Sequence, residues 1–236
     1  MDIAFFLSFR HRSRPDTVLR EAEWSRLGVL ATALPGLRKA LAFTPAAVAD
    51  PCLDDGPPPV LTLQFYFADI AALEASLADG GGLHRLLSPD AFPSLAGAEA
   101  TQQAMLARIF PVADAQPPPS PCCTYLVSYE GEAEDAAHWL GHYIASHPPL
   151  MVRLPGLREL ELYTRLDWCG TLPARRLAHL QRNKVVFDDA AALHAALNSP
   201  VRHEMRADFA RFPPYAGPVT HDPMTTRVLG AQRPPR

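Results

Sequence analysis

The sequence predicts an α+β fold built from one unit used twice: two βαββαβ units, residues 1–115 and 121–236, joined in a barrel-like assembly. Three observations carry this expectation. The pentapeptide LPGLR stands at residues 34–38 and again at 154–158. At the same offset of 120 residues, FFLSF (5–9) lies over YLVSY (125–129), and FADIAALEASL (67–77) lies over FDDAAALHAAL (187–197). Phe92-Pro93 lies over Phe212-Pro213, so separated segments keep one register with no net insertion.

Each element follows from local chemistry. FFLSF and YLVSY are short aromatic and apolar runs suited to first strands. Leu19, Leu27, Leu30 and Leu34 in the first unit recur near a 3.6-residue period, as do Leu140, Ile144, Leu150, Met151 and Leu154 in the second, so each predicts a helix with one apolar stripe. Gly36 and Gly156 follow the last apolar residue, where a helix C-terminus favours a left-handed residue. LPGLR is therefore a helix stop followed by a strand start. Pro148 and Pro149 push the residue before them toward extended backbone, which predicts a break or kink at His147.

Second strands are expected at 37–44 and 157–165, and third strands at 60–67 and 180–187. Asp69 and Asp189 open the second helices, where a negative charge meets the helix dipole. In the second unit the helix pauses at Asn198 and restarts with Ser199 as N-cap and Pro200 in the first position. Final strands are expected at 105–110 and 224–229, with a one-residue shift that sets Arg108 over Arg227. A proline-rich connector (113–121) joins the units, and the loops 44–59 and 167–176 read as surface insertions. Four antiparallel strands with helices on one face make a ferredoxin-like sheet whose other face is bare, and packing sheet to sheet hides both bare faces.

Composition narrows the function. With 236 residues, a formal charge of −3 and scattered Lys and Arg, the chain has no basic footprint for nucleic acid. The apolar stretch 3–7 is too short for a signal segment and no run suits a membrane span, so the expectation is a soluble, cytoplasmic protein without membrane partners. Cys52, Cys122, Cys123 and Cys169 form no CxxC pair and read as small hydrophobes. There is no glycine-rich phosphate loop and no GxSxG elbow, so no cofactor is expected.

HYIASHPPLMVRLPGLRELELY (142–163) resembles the helix, histidine and LPGL turn of the EthD family, named for ethyl tert-butyl ether degradation, within the dimeric α+β barrel superfamily. VVFDDAAALHAALNSPVRHEMRADFARF (185–212) is similar to that family's strand, helix and closing aspartate-plus-phenylalanine segment. The resemblance covers nearly all of the second unit and, more faintly, the first, which has Leu27 in place of the family histidine. It implies a pseudo-dimeric α+β barrel, further homodimerisation by family habit, and a small organic ligand. Relatives include cofactor-independent monooxygenases, isomerases, cyclases and haem-binding enzymes.

His147 is the candidate catalytic residue. It fills the slot of Leu27 in the sister unit, and imidazole titrates near neutrality, which suits a general acid or base. Tyr129, Tyr163, Arg165, Arg182, Lys184 and Arg227 lie on strands that could line the barrel lumen and meet a carboxylate or enolate oxygen. His142 joins them, and with His138 forms an i, i+4 pair that lacks the glutamate of a zinc motif. Seven of the nine histidines lie in the second unit, which marks it as the working half and residues 1–115 as scaffold. The expected activity is cofactor-free proton transfer or oxygenation of an apolar or aromatic acid. The competing expectation is a non-catalytic carrier of a pathway intermediate or of haem, with a histidine as axial ligand.

Overall fold

The computed structural model describes residues 2–48, 50–51 and 53–231. The first half runs β1 (Ile3–Arg10), α1 (Glu21–Thr32), β2 (Leu37–Pro45), β3 (Leu61–Phe67), α2 (Ile70–Leu77), two 3₁₀ turns (Gly82–Leu87 and Pro93–Leu95) and β4 (Glu99–Phe110). The second runs β5 (Cys122–Tyr129), a short β6 (Glu132–Ala133), α3 (Ala136–Met151), β7 (Leu157–Arg165), a short β8 (Arg175–Arg176), β9 (Gln181–Phe187), α4 (Ala190–Leu197), α5 (Pro200–Phe209), a short β10 (Tyr215–Ala216) and β11 (Val219–Ala231).

Strand pairing repeats at the offset seen in the sequence. Ile3 faces Phe67 across β1 and β3, as Cys123 faces Phe187 across β5 and β9. The register slips at the same place in both halves, between Leu37 and Lys39 and between Leu157 and Glu159. Ile3 faces Leu106 and Cys123 faces Thr225, so the last strands carry the expected one-residue shift. Both last strands are longer than expected, because residues 99–104 already pair with β1 and 219–223 with β5 of their own half before the strands cross to the opposite half.

That pairing corrects the expected packing. The two sheets do not simply lie face to face. β4 pairs antiparallel with β7, and β11 with β2, so eight strands close into one antiparallel barrel. Closure removes four sheet edges that would otherwise expose unpaired backbone. The bare faces become the lumen, which is filled by side chains including Phe6, Phe43, Tyr66, Met105, Tyr163 and Met224. The outer faces carry the helices, α1 and α2 over a core from Phe5 to Leu95 and α3 to α5 over a second core from Cys123 to Met205.

Local signals behave as their chemistry requires. Gly36 and Gly156 have φ of +71° and +73°. Asp69 and Asp189 are N-caps, accepting from the backbone N–H of Ala72 and Ala192 at 2.9 Å. α5 starts after Ser199 with Pro200 at its first position, although the Ser199 hydroxyl donates back to the Ala196 carbonyl instead of capping.

The expected break at His147 does not occur, for α3 runs through Pro148 and Pro149 to Met151. Proline already holds a helical φ, so its cost is the missing N–H and the crowding of its ring against the carbonyl one turn back. Trp139, Tyr143, His147 and Met151, spaced four apart and buried, anchor this stretch against the sheet.

The two loops are not free surface insertions either. Each crosses to the other half. Leu172, from the β7–β9 connection, is buried in the first core, and its carbonyl and that of Ala174 accept from Gln102 Nε2 at 2.8 Å. From the β2–β3 connection of the first half (46–60), Ala46 and Val48 reach the opposite way and pack against the second core.

Candidate functional site

Between the outer face of the second half's sheet and its helices lies a cavity of about 400 Å³. Its apolar wall includes Val127, Val185, Phe187, Leu193, Leu197 and Met205, and Leu53 reaches it from segment 46–60. His147, Asn183, Tyr129, Tyr125, Arg202 and His221 bring polar atoms to the same wall. The volume and the mostly apolar lining suit a small organic molecule.

α3 and α5 jointly position the histidine. His147 is 6% exposed, and its Nδ1 lies 2.8 Å from Oδ2 of Asp208 on α5. Ser146 Oγ donates to the same carboxylate at 3.1 Å. The ring is further held by Tyr143 and Phe212, with ring centroids at 5.0 and 5.4 Å. Burial lowers the His147 pKa below the usual histidine value, and the Asp208 hydrogen bond and charge only partly offset this. The ring is then neutral near pH 7, donates its Nδ1 proton to Asp208, and leaves Nε2 as a lone pair with no hydrogen-bond partner among the described residues. A carboxylate-oriented imidazole beside a mostly apolar cavity can accept a proton and can hold the resulting cation.

A second set of polar groups supports the helix–sheet contact. Asn183 Nδ2 donates to Tyr143 Oη at 2.7 Å, and Gln181 Nε2 donates to Asn183 Oδ1 at 3.1 Å. Burial raises the Tyr143 pKa, so its hydroxyl stays protonated.

The expected substrate-binding residues divide among three places. Tyr129 lines the cavity with His147, but from the outer face of β5 and not from the lumen. Tyr163, Arg182 and Lys184 do face the lumen, where they make internal contacts. Lys184 Nζ lies 2.8 Å from Glu161, 2.9 Å from Tyr66 Oη and 3.2 Å from Glu159, and Tyr163 Oη donates to Glu161 at 2.7 Å. Burial favours neutral Glu161, yet Lys184 and the two tyrosine hydroxyls hold its pKa below the usual carboxylate value. Arg182 lies over the Phe6 ring at 4.8 Å, and burial lowers its pKa to about 10.

Arg165 and Arg227 are exposed, Arg227 lying 4.9 Å over the Trp24 ring on the outside of the barrel. His142 packs on Phe212 at 5.4 Å with its Nε2 buried and unpartnered, while His138 is exposed. Asp208, Asn183 and Arg202 were not singled out by the sequence reading. Asp208 sits within the aspartate-plus-phenylalanine segment, and Asn183 stands where the first half has Leu63, so both had a signal.

No family model matches the chain, and no curated protein matches it. Solved structures do. A "putative monooxygenase" from Lactobacillus acidophilus aligns over 98% of this chain and 99% of its own, with a TM-score of 0.54 and 13% identity. An anthrone oxidase-like protein aligns over 97% and 94%, with a TM-score of 0.59 and 14% identity. A chlorite dismutase from Candidatus Nitrospira defluvii aligns over 94% and 90%, with a TM-score of 0.54 and 9% identity. At such identities the likeness establishes the fold alone, which is that of the dimeric α+β barrel proteins.

Proposed function

We propose that the chain is an EthD-like, cofactor-independent enzyme of small-molecule metabolism, acting on an apolar or aromatic acid, with His147 as its general acid and base. It is a tandem of two ferredoxin-like units, in which residues 1–115 are the scaffold and 121–236 the working half. The observation that carries this reading is the His147 to Asp208 pair, 2.8 Å apart, on the wall of an apolar cavity. Nε2 accepts a proton from an acidic carbon or hydroxyl of the ligand, and Asp208 stabilises the imidazolium formed. Returning that proton to another atom of the ligand completes an isomerisation or cyclisation with no net redox change. In the oxygenase form of the same reading, dioxygen is the oxidant of the carbanion or enolate left behind. The anthrone oxidase-like and monooxygenase neighbours lend support to a small-molecule enzyme on this fold.

The test is proton exchange in D₂O with a panel of apolar carbon acids, followed by mass spectrometry. Wild-type protein should wash deuterium into the acidic position, and His147→Gln should slow this by about 10² to 10⁴-fold. Tight binding of a panel member with no exchange would replace the enzyme by a carrier of such a molecule. Haem is the competing occupant, because a carboxylate-held imidazole is a donor that iron also takes. A Soret band in the purified protein, lost in His147→Gln, would overturn the proton-transfer reading.

A further inference from the structure

The cavity wall carries a cation to which proton transfer gives no task. Arg202 on α5 has a side chain 13% exposed, with Nη2 3.1 Å from Oδ2 of Asp50, itself 5% exposed. Its Nε is buried without a partner. A buried N–H lacking an acceptor costs free energy, and a guanidinium fork suits a planar oxyanion. The present counter-ion comes from the other half. Asp50 lies on segment 46–60, which connects β2 to β3 and crosses to the cavity of the second half. There Asp50 also accepts a hydrogen bond of 2.5 Å from Tyr125 Oη, and Leu53 lines the cavity. Further along, Asp55 accepts from the backbone N–H of His221 at 2.8 Å and lies 2.9 Å from its Nδ1.

We infer that Arg202 anchors the acidic oxygen of an apolar anionic ligand in this cavity, and that Asp50 is the resident counter-ion such a ligand displaces, releasing segment 46–60 from its latch on α5. The exchange conserves charge inside the protein: one carboxylate leaves the guanidinium as another arrives, and Asp50 turns to solvent. A neutral ligand of the same shape supplies no replacement charge, so the Asp50 to Arg202 pair stays closed. The ion pair that covers the cavity thereby selects for anions. Asp55 on His221 keeps the far part of the segment attached, so the movement is confined to the stretch around Asp50 and Leu53.

This inference rests on the cavity being the ligand site and not on His147 moving a proton. The test uses 2-naphthoate and the neutral, isosteric 2-naphthamide, with affinities measured by calorimetry on the full chain. Wild-type protein should prefer naphthoate by about tenfold, as a charge-assisted hydrogen bond predicts. Asp50→Asn should tighten naphthoate by a similar factor and leave naphthamide unchanged, because the competing carboxylate is gone. Arg202→Met should erase the preference. Since that variant deprives Asp50 of the Arg202 cation, the double variant Asp50→Asn/Arg202→Met serves as its folded counterpart.

Amide deuterium uptake in residues 46–60 should rise with naphthoate and not with naphthamide. Equal affinities of the two probes for wild-type protein would overturn the anchor. Naphthoate preference with unchanged uptake in 46–60 would overturn the latch. If neither probe binds, the cavity reading fails and this inference with it. Naphthoate preference retained in a His147→Gln protein that has lost exchange would support the anchor independently of the proton-transfer step.

Discussion

The two halves pair their strands alike and differ in what fills the space between sheet and helices. In the first half the space around Leu27 and Leu63 is packed, and a separate hollow of about 320 Å³ opens beside Phe9, Leu86 and Phe92. Leu27, Leu63, Phe5 and Phe9 are all buried in this half's core, with Leu83 and Leu86 from the first 3₁₀ turn and Phe92 from just before the second. The equivalent positions of the second half, 120 residues on, are His147, Asn183, Tyr125 and Tyr129, and around them lies the 400 Å³ cavity. The crossing loops follow the same division, for the first core receives buried Leu172 and the second receives the charge of Asp50. The two halves thus differ by exchanging apolar for polar groups in one register, and by what each half lends the other.

The lumen is the compartment both halves build, and breaking it should have the largest effect. Lys184 is fully buried, and its partners come from Glu161 of its own half and Tyr66 of the other. Lys184→Met leaves Glu161 a buried carboxylate without its cation and should cost about 3 to 5 kcal/mol. Urea denaturation measures it, and a loss below about 1 kcal/mol would show that the halves do not depend on this cluster. Naphthoate affinity, which reads the cavity on the other side of the sheet, should not change in the folded variant.

Swapping the residues that distinguish the halves comes next. Leu27→His places an imidazole in a packed core where Ser88 stands at the position of Asp208 and the buried Glu23 is already held by Arg20 and Ser94, and should cost about 3 kcal/mol, from lost packing and poorly paired nitrogens together. The reverse change is milder. If the His147 ring had no partner, His147→Leu would leave stability unharmed, but Asp208 would retain only the Ser146 hydroxyl. The expected loss is about 1 to 3 kcal/mol, largely recovered when Asp208→Leu is added. Equal costs for the two single swaps would mean that the halves tolerate a histidine alike, contrary to the packing seen.

The smallest effect is in pH dependence. His147 and His179 both have lowered pKa values, His179 to about 2, mainly because burial disfavours the charged ring. The unfolded chain therefore binds protons that the folded chain refuses. The stability that comes from keeping these rings neutral is complete above the ordinary histidine pKa of about 6.5, and is lost as pH falls below it. Melting temperature should decline from pH 7 to pH 5, and His147→Leu/Asp208→Leu should shallow that decline. An unchanged slope in the double variant would assign the titration to other groups.

Much of the architecture is legible in the sequence itself. The LPGLR pair located two helix ends, because only glycine takes a positive φ freely, and the offset between copies carried the strand order of one half onto the other. His147 stood out because its sister is leucine. The same comparison would have marked Asn183 against Leu63.

Tertiary structure alone decided three things. Strand phase was one: in a closed barrel with helices outside, both faces of a strand are buried. QRNKVVF of β9 is buried throughout and offers no polar alternation to read, so Tyr129 fell on the cavity side and Tyr163 on the lumen side. The course of α3 through its two prolines was another, since burial of its stripe outweighs a local preference for extended backbone. The last was the company the histidine keeps. Asp208 lies 61 residues along the chain from His147, and Asp50 lies 152 residues from Arg202 in the opposite half. Periodicity reports neighbours within an element, whereas pairs so distant in sequence meet only where packing and barrel closure bring their elements together.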